Sequence, residues 1–393
     1  MFTFLDYNFN PEDFTATFRY QGKDGIIFSE KVKFSHSDFT DYNETALKNA
    51  LFLAFIILGT SYYKAEPTSK VKLSEKIDEA QSFFFDKIYQ EGLSQFAFEN
   101  HLERADLAHF EANAPLRNTP APTQNLPEKS LVLISGGKDS LLSFEKIKTS
   151  GQKYEIAYIS ANGFYPKILD ELGTPLIIER QIDKENLKKA GGLNGHVPVT
   201  LINEAISIIQ AILIGATHIE FGIGKEGLEP HAWIKDLPVN HQWSKTIEAQ
   251  TLMKGYLKTY INQNLTVGSC LENLTELEIA KEFASKCWDK YADKFSSCNV
   301  ANYKQNEDNS SLKWCGKCAK CANSYLLFAP FVPYEKQLKI FGRDLFKDPE
   351  LTETFKGLLG LDGVMKPFEC IASIDELRWA YEHRLPGYGQ LEV

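Results

Sequence analysis

Ser130-Leu131-Val132-Leu133-Ile134-Ser135-Gly136-Gly137-Lys138-Asp139-Ser140 is the stretch whose reading decides the fold. Four consecutive apolar residues, Leu131 to Ile134, are too few for a helix and suit a strand buried on both faces. Leu141, Leu142 and Phe144 follow at helical spacing, so a glycine-paired turn joins a strand to a helix. Adjacent glycines admit positive φ and close approach of the backbone, and successive N–H groups there converge on an anion at the positive end of the helix. The turn therefore reads as a phosphate cradle, with an ordinary strand-to-helix turn as the alternative. Its spacing is neither that of the G-x-x-x-x-G-K-S/T loop nor that of the G-x-G-x-x-G dinucleotide turn.

The chain alternates β and α after this turn. Glu155–Ser160, Pro175–Arg180 and His218–Gly222 read as strands, Tyr165–Leu172 as a short helix and Val199–Gly215 as a long apolar one. Such alternation predicts a parallel sheet covered by helices, with ligands beyond the strands' carboxyl ends. Three polar stretches fall at that edge: Gly191–Thr200 with Asn194, His196 and Thr200; Gly222–Gly227 with Lys225 and Glu226; and Val239–Thr246 with His241 and Lys245. For His196 and His241 the sequence leaves a structural role and a ligand or acid–base role equally open.

Before the turn, Phe14 to Phe34 alternates around Gln21–Gly25 as a hairpin, and Glu44–Gly59 is a buried helix. Asp78–Tyr89 and Gly92–His101 read as further helical pieces. Thr60-Ser61-Tyr62-Tyr63-Lys64 between them reads as packing with a snorkelling lysine, in preference to a ligand contact. Prolines 115, 120, 122 and 127 mark an extended linker. The division expected is residues 1–111 as an α+β domain, 112–128 as linker, 129–265 as the parallel-sheet domain and 266–393 as a helical region. In that last region Lys366-Pro367-Phe368-Glu369-Cys370 is a turn, read either as surface punctuation or as a wall of the site.

A chain of 393 residues with 43% hydrophobic content builds real cores, and a net charge of −9 argues against a protein that grips nucleic acid. Met1–Asp6 lacks the basic start of a signal peptide, and the longest apolar run, Ala50–Leu58, is half the length of a membrane span. A soluble, cytoplasmic protein without a membrane partner is the expectation; oligomeric state is not legible. Seven cysteines, four of them as Cys298 and Cys315-x-x-Cys318-x-x-Cys321, suit metal ligation in a reducing compartment. Four thiolates close a tetrahedron around structural zinc; an iron–sulfur cluster is the second option, disfavoured because nothing else suggests electron transfer.

Ser135-Gly136-Gly137-Lys138-Asp139-Ser140 resembles the pyrophosphate-binding loop (PP-loop) of N-type ATP pyrophosphatases, which leave AMP on an acceptor. The chain as a whole resembles the UDP-N-acetylmuramoyl-L-alanyl-L-glutamate epimerases of peptidoglycan synthesis, the MurL family. That resemblance rests on Thr60–Lys64, Gly92–Asn100, Ser135–Ser140, Asn194–Thr200, Val239–Lys245, Phe295–Asn299, Trp314–Cys321, Ala329–Phe331 and Lys366–Cys370. Gly222–Gly227 departs from the family pattern, where an Asn-Glu pair is expected, and Glu226 stands nearest to that glutamate.

The resemblance implies an α/β fold: a parallel-sheet, PP-loop (HUP-like) ATP pyrophosphatase domain, an N-terminal α+β domain and a C-terminal helical zinc-bearing region. It implies ATP-dependent inversion of the terminal L-Glu of UDP-MurNAc-L-Ala-L-Glu through an acyl-adenylate, with ATP, Mg²⁺ and structural Zn²⁺. Ser135, Gly136, Gly137, Lys138, Asp139 and Ser140 would bind phosphates, with Asp139 a ligand for Mg²⁺. Ser160 to Asn162 would neighbour the adenosine. Lys245 or Lys225 would stabilise charge, and His241, His196 and Glu226 are the acid–base candidates. The rival readings are another adenylating enzyme of this fold, 7-cyano-7-deazaguanine synthase-like or tRNA-modifying, and a non-catalytic ATP-binding protein.

Overall fold

The structure, a computed structural model, describes residues 1–36, 38–161, 163–227, 229–304 and 311–391. Its strands, in chain order, are β1 (Phe2–Asn10), β2 (Thr15–Gln21), β3 (Ile27–Lys33), β4 (Val71–Lys72), β5 (Ser130–Leu133) and β6 (Tyr154–Ala161), then β7 (Leu176–Gln181), β8 (His218–Glu220), β9 (Ala232–Ile234), β10 (Leu237–Val239) and β11 (Thr266–Gly268). Nine of them form one sheet in the order β11-β8-β5-β6-β7-β3-β2-β1-β4, and β9 and β10 make a separate hairpin.

The run β11-β8-β5-β6-β7 is parallel throughout. Successive residues of its strands point into different cores. Leu131, Ala157 and Ile178 join one cluster with the helices Glu44–Leu58 and Val199–Ile214. Val132 and Ile156 join a second cluster, with the helices Lys138–Ser150, Glu276–Lys286 and Ala319–Phe328. Burial on both faces is why β5 reads as a continuous apolar run.

Chain order within the parallel run gives the site its place. From β5 the chain adds β6 and β7 on one side, then returns to add β8 and β11 on the other. The crevice beyond the carboxyl ends of β5 and β8 is the point where the winding reverses, and ligands gather at such points.

The expected hairpin before residue 34 is present as β2 and β3, paired antiparallel. The first strand, β1, escaped the pattern because a bulge between Phe4 and Asp6 interrupts its alternation. Strand β3 pairs antiparallel with β7, so strands on either side of the proline-rich stretch 112–128 share one sheet, while that stretch itself holds neither helix nor strand. Arg180 on β7 fastens this seam, its Nε 2.6 Å from Oε1 of the fully buried Glu30 on β3 and its guanidinium 2.9 Å from Ser61 Oγ.

The helix Glu44–Leu58 opens on Asn43, whose side chain accepts from the Ala46 N–H, and ends at Gly59. With the turn that follows, Glu44–Tyr63 is long and apolar enough to cross a membrane, but 78% of that window is buried inside the fold, as for a core helix. Asp78 caps Glu79–Gln90 in a reciprocal capping box with Gln81.

Candidate active site

The phosphate-type turn leaves β5 at the winding reversal, and Gly137 is the N-cap of the helix Lys138–Ser150. Gly136 has φ +84°, a left-handed conformation that favours glycine. Ser140 Oγ accepts from the Ser135 N–H at 3.2 Å and donates to the Gly137 carbonyl at 3.1 Å, fixing the loop's curvature. Beyond β8, Gly222 lies so close to the helix start that a Cβ on it would stand 2.6 Å from the Ser140 nitrogen. The departure at Gly222–Gly227 therefore starts with a residue that this packing requires to be glycine.

A cavity of about 290 Å³ opens on the loop. Ser135, Gly137, Lys138, Asp139 and Ser140 form its floor, and Tyr158, Ile159, Phe221, Gly222 and Ile223 come from neighbouring strand ends. Thr200 and Asn203 enter from the long helix, Lys245 and Glu276 from the side, and Ser297, Lys320, Asn323, Ser324 and Cys370 from the C-terminal region. Sequence reasoning had Thr200 in view and missed Asn203, Glu276, Lys320, Asn323 and Ser324. Glu276 and Asn203 stand on helices with nothing local to mark them; Lys320 sits inside the cysteine motif, which was the available signal.

The two basic residues expected at the loop are held by carboxylates. Lys138 Nζ lies 2.6 Å from Asp139 Oδ1 and 2.5 Å from Glu276 Oε2, and these two acids keep it protonated despite burial. Burial holds the Glu276 carboxyl above the ordinary carboxylate range, with Asp139 and Glu226 adding repulsion. Lys245 Nζ lies 2.6 Å from Glu226 Oε2, which also accepts from Gln242 Nε2 at 2.9 Å. Glu226 is buried, lies outside the cavity wall and acts as counter-ion to Lys245. Lys225 is exposed.

His196 and His241 meet beside the cavity, their rings 4.2 Å apart, and His231 lies 6.4 Å from His241. Gln95 Oε1 is 2.6 Å from His241 Nδ1. Burial, reinforced by His241, Lys64 and Lys320, pushes His196 down to about 3; burial, with Lys320 and Lys245 and against Glu369, takes His241 down to about 4. Both are neutral imidazoles at pH 7. Tyr62 and Tyr63 are buried as the packing reading expected, and Lys64 Nζ binds Asn194 Oδ1 at 2.6 Å, anchoring the segment that carries His196. The Lys366–Cys370 turn is a wall of the site. Phe368 packs on Phe98 and His231, Glu369 Oε2 lies 3.6 Å from Lys320 Nζ, and Cys370 lines the cavity.

Ser160 does not join this group. Its Oγ donates to the Phe164 carbonyl at 2.8 Å and it borders a separate cleft with Arg180, while Asn162 lies outside the described residues.

Sγ atoms of Cys298, Cys315, Cys318 and Cys321 all lie within 4.8 Å of one another, with separations of 3.5 to 3.7 Å for three pairs. A tetrahedral thiolate ion with metal–sulfur bonds of about 2.3 Å requires sulfurs about 3.8 Å apart. The N–H groups of Ala301 and Lys317 each approach a sulfur at 3.4 Å, a contact that favours thiolate. The donor set fits a metal ion with no position left for water.

Residues 1–269 match the MurL N-terminal domain and residues 294–385 the MurL C-terminal domain. Three proteins named UDP-N-acetyl-alpha-D-muramoyl-L-alanyl-L-glutamate epimerase are similar along nearly the whole chain. The one from Micromonospora sp. is 31% identical over 95% of this chain and 84% of its own length. Those of Salinispora tropica and Xanthomonas oryzae pv. oryzae are 32% identical (95% of this chain, 82% of theirs) and 31% identical (96% and 84%). With both domain families matched in order and relatives aligned over 95–96% of this chain, the chain belongs to the MurL family.

Proposed function

We propose that this chain inverts the terminal L-Glu of UDP-MurNAc-L-Ala-L-Glu to D-Glu in peptidoglycan precursor synthesis, as a soluble cytoplasmic enzyme that consumes ATP. The relatives' names support the epimerisation. The observation that carries the ATP reading is the Ser135–Ser140 turn at the helix N-terminus on the floor of the switch-point cavity, with Lys245 on its wall. In this reading the sheet is a PP-loop, HUP-like domain.

The α-carboxylate of the glutamate attacks the α-phosphorus of ATP, and pyrophosphate leaves toward the N–H groups of the loop. The acyl-adenylate lacks the carboxylate's charge, so the Cα proton becomes more acidic; each pKa unit gained removes up to about 1.4 kcal/mol from the barrier. A neutral imidazole accepts that proton, and an acid on the other face returns one. Either His241 or His196, both unprotonated at neutral pH, suits the accepting duty. Hydrolysis then releases D-Glu product and AMP. Lys245, kept protonated against Glu226, suits the developing negative charge. Asp139 is the loop carboxylate on the cavity floor that would hold Mg²⁺ arriving with the nucleotide. Zinc in the four-thiol site would be structural.

Incubation with ATP, Mg²⁺ and UDP-MurNAc-L-Ala-L-Glu in D₂O should give AMP, pyrophosphate and D-glutamate carrying deuterium at Cα. ADP in place of AMP would end the adenylation reading, and AMP without D-glutamate would end the epimerase.

A further inference from the structure

Among the described residues three lysines border the cavity, and two of them are occupied. Lys138 and Lys245 hold carboxylates at 2.5 to 2.6 Å. Lys320 differs, because its ion-pair partner Glu369 stands at 3.6 Å, beyond hydrogen-bond reach, while its side chain is only 14% exposed. It lies between Cys318 and Cys321, in the first turn of the helix Ala319–Phe328 that Cys318 caps. Lys320, Asn323 and Ser324 are spaced i, i+3, i+4 and all three border the cavity, as does Ser297 beside Cys298. The same segment braces the loop directly: the Ser296 N–H donates to the Gly136 carbonyl at 3.1 Å.

We propose that Lys320 binds an anionic oxygen of the reactants, a nucleotide phosphate or an acceptor carboxylate, and that the four-thiol centre exists to hold this cation opposite the loop. The identity of those ligands rests on the adenylation reading. A lysine on a free helix would lose rotamer freedom on binding; one whose helix is stapled on both sides by ligand cysteines has its backbone fixed beforehand.

Calorimetric titration of the wild-type protein with α,β-methylene-ATP plus Mg²⁺, and separately with UDP-MurNAc-L-Ala-L-Glu, comes first. Binding of neither ends the adenylation reading itself. With binding in hand, Lys320→Met should weaken one ligand by about 10- to 100-fold, the loss of one charge-assisted hydrogen bond, with metal content and Tm unchanged. Loss for the nucleotide assigns the phosphate; loss for the dipeptide assigns the carboxylate. Unchanged affinity for both, with unchanged kcat, overturns the proposal. Should the variant lose metal or Tm, acylation of wild-type Lys320 by acetic anhydride, read by mass spectrometry, decides. Saturating ligand should suppress it and metal chelation should raise it, whereas equal labelling in all three states overturns the proposal.

Discussion

Asp139, which borders the cavity, and His196, which does not, show what single residues contribute. Within the loop Asp139 pairs with Lys138 at 2.6 Å. Asp139→Asn keeps the shape and removes the charge, so AMP release should fall by about 100-fold or more while Tm moves little; normal turnover would remove the loop from the mechanism. For His196 the sign follows from linkage. Its folded value, about 3, is below the ordinary imidazole value, so between pH 6.5 and 3 the unfolded chain binds more protons. Its share of stability is full above pH 6.5 and is lost as pH falls toward 3. Thermal unfolding of His196→Gln should therefore gain on wild type as pH drops from 7 to 4, and a pH-independent difference would refute the buried neutral imidazole. Ser135–Ser140 was legible because its chemistry lies in six adjacent residues. Glu276 was not, since it meets Lys138 across 138 positions of sequence and its own surroundings spell only a helix cap.

At the scale of elements, the cysteine helix and the loop are one construction. Cys321→Ser should release the metal, lower Tm by several degrees and reduce AMP formation together, measured by elemental analysis, thermal unfolding and product assay. A brown protein with visible absorption would replace zinc by iron and sulfur. Long periodic elements were readable: Val199–Ile214 and Glu44–Leu58 fall within a residue or two of their expected limits. Among the pieces that escaped, several have no period to read. Strands β9, β10 and β11 have three residues each, and the helix Lys184–Ala190 buries none of its residues, so no apolar stripe announces it.

Across the whole molecule, the antiparallel seam between β3 and β7 ties the first strands to the parallel run. Nothing local encodes that pairing, because the partners lie about 150 residues apart and either strand alone could end a sheet. Arg180→Met would leave Glu30 charged and buried beside the seam, a cost of about 3–5 kcal/mol in urea unfolding, and Arg180→Met with Glu30→Leu should recover most of it. A single variant as stable as wild type would mean that the ion pair does not hold the seam.

The cavity draws its walls from residue 133 to residue 370. During synthesis the glycine turn emerges long before Lys320, Asn323 and Cys370 exist to enclose it. A nascent or truncated product that ends ahead of the cysteine helix thus owns the floor of the chamber without its far side. Such a fragment leaves the Ser135–Ser140 turn open on the side that Lys320, Asn323, Ser324 and Cys370 close in the finished fold.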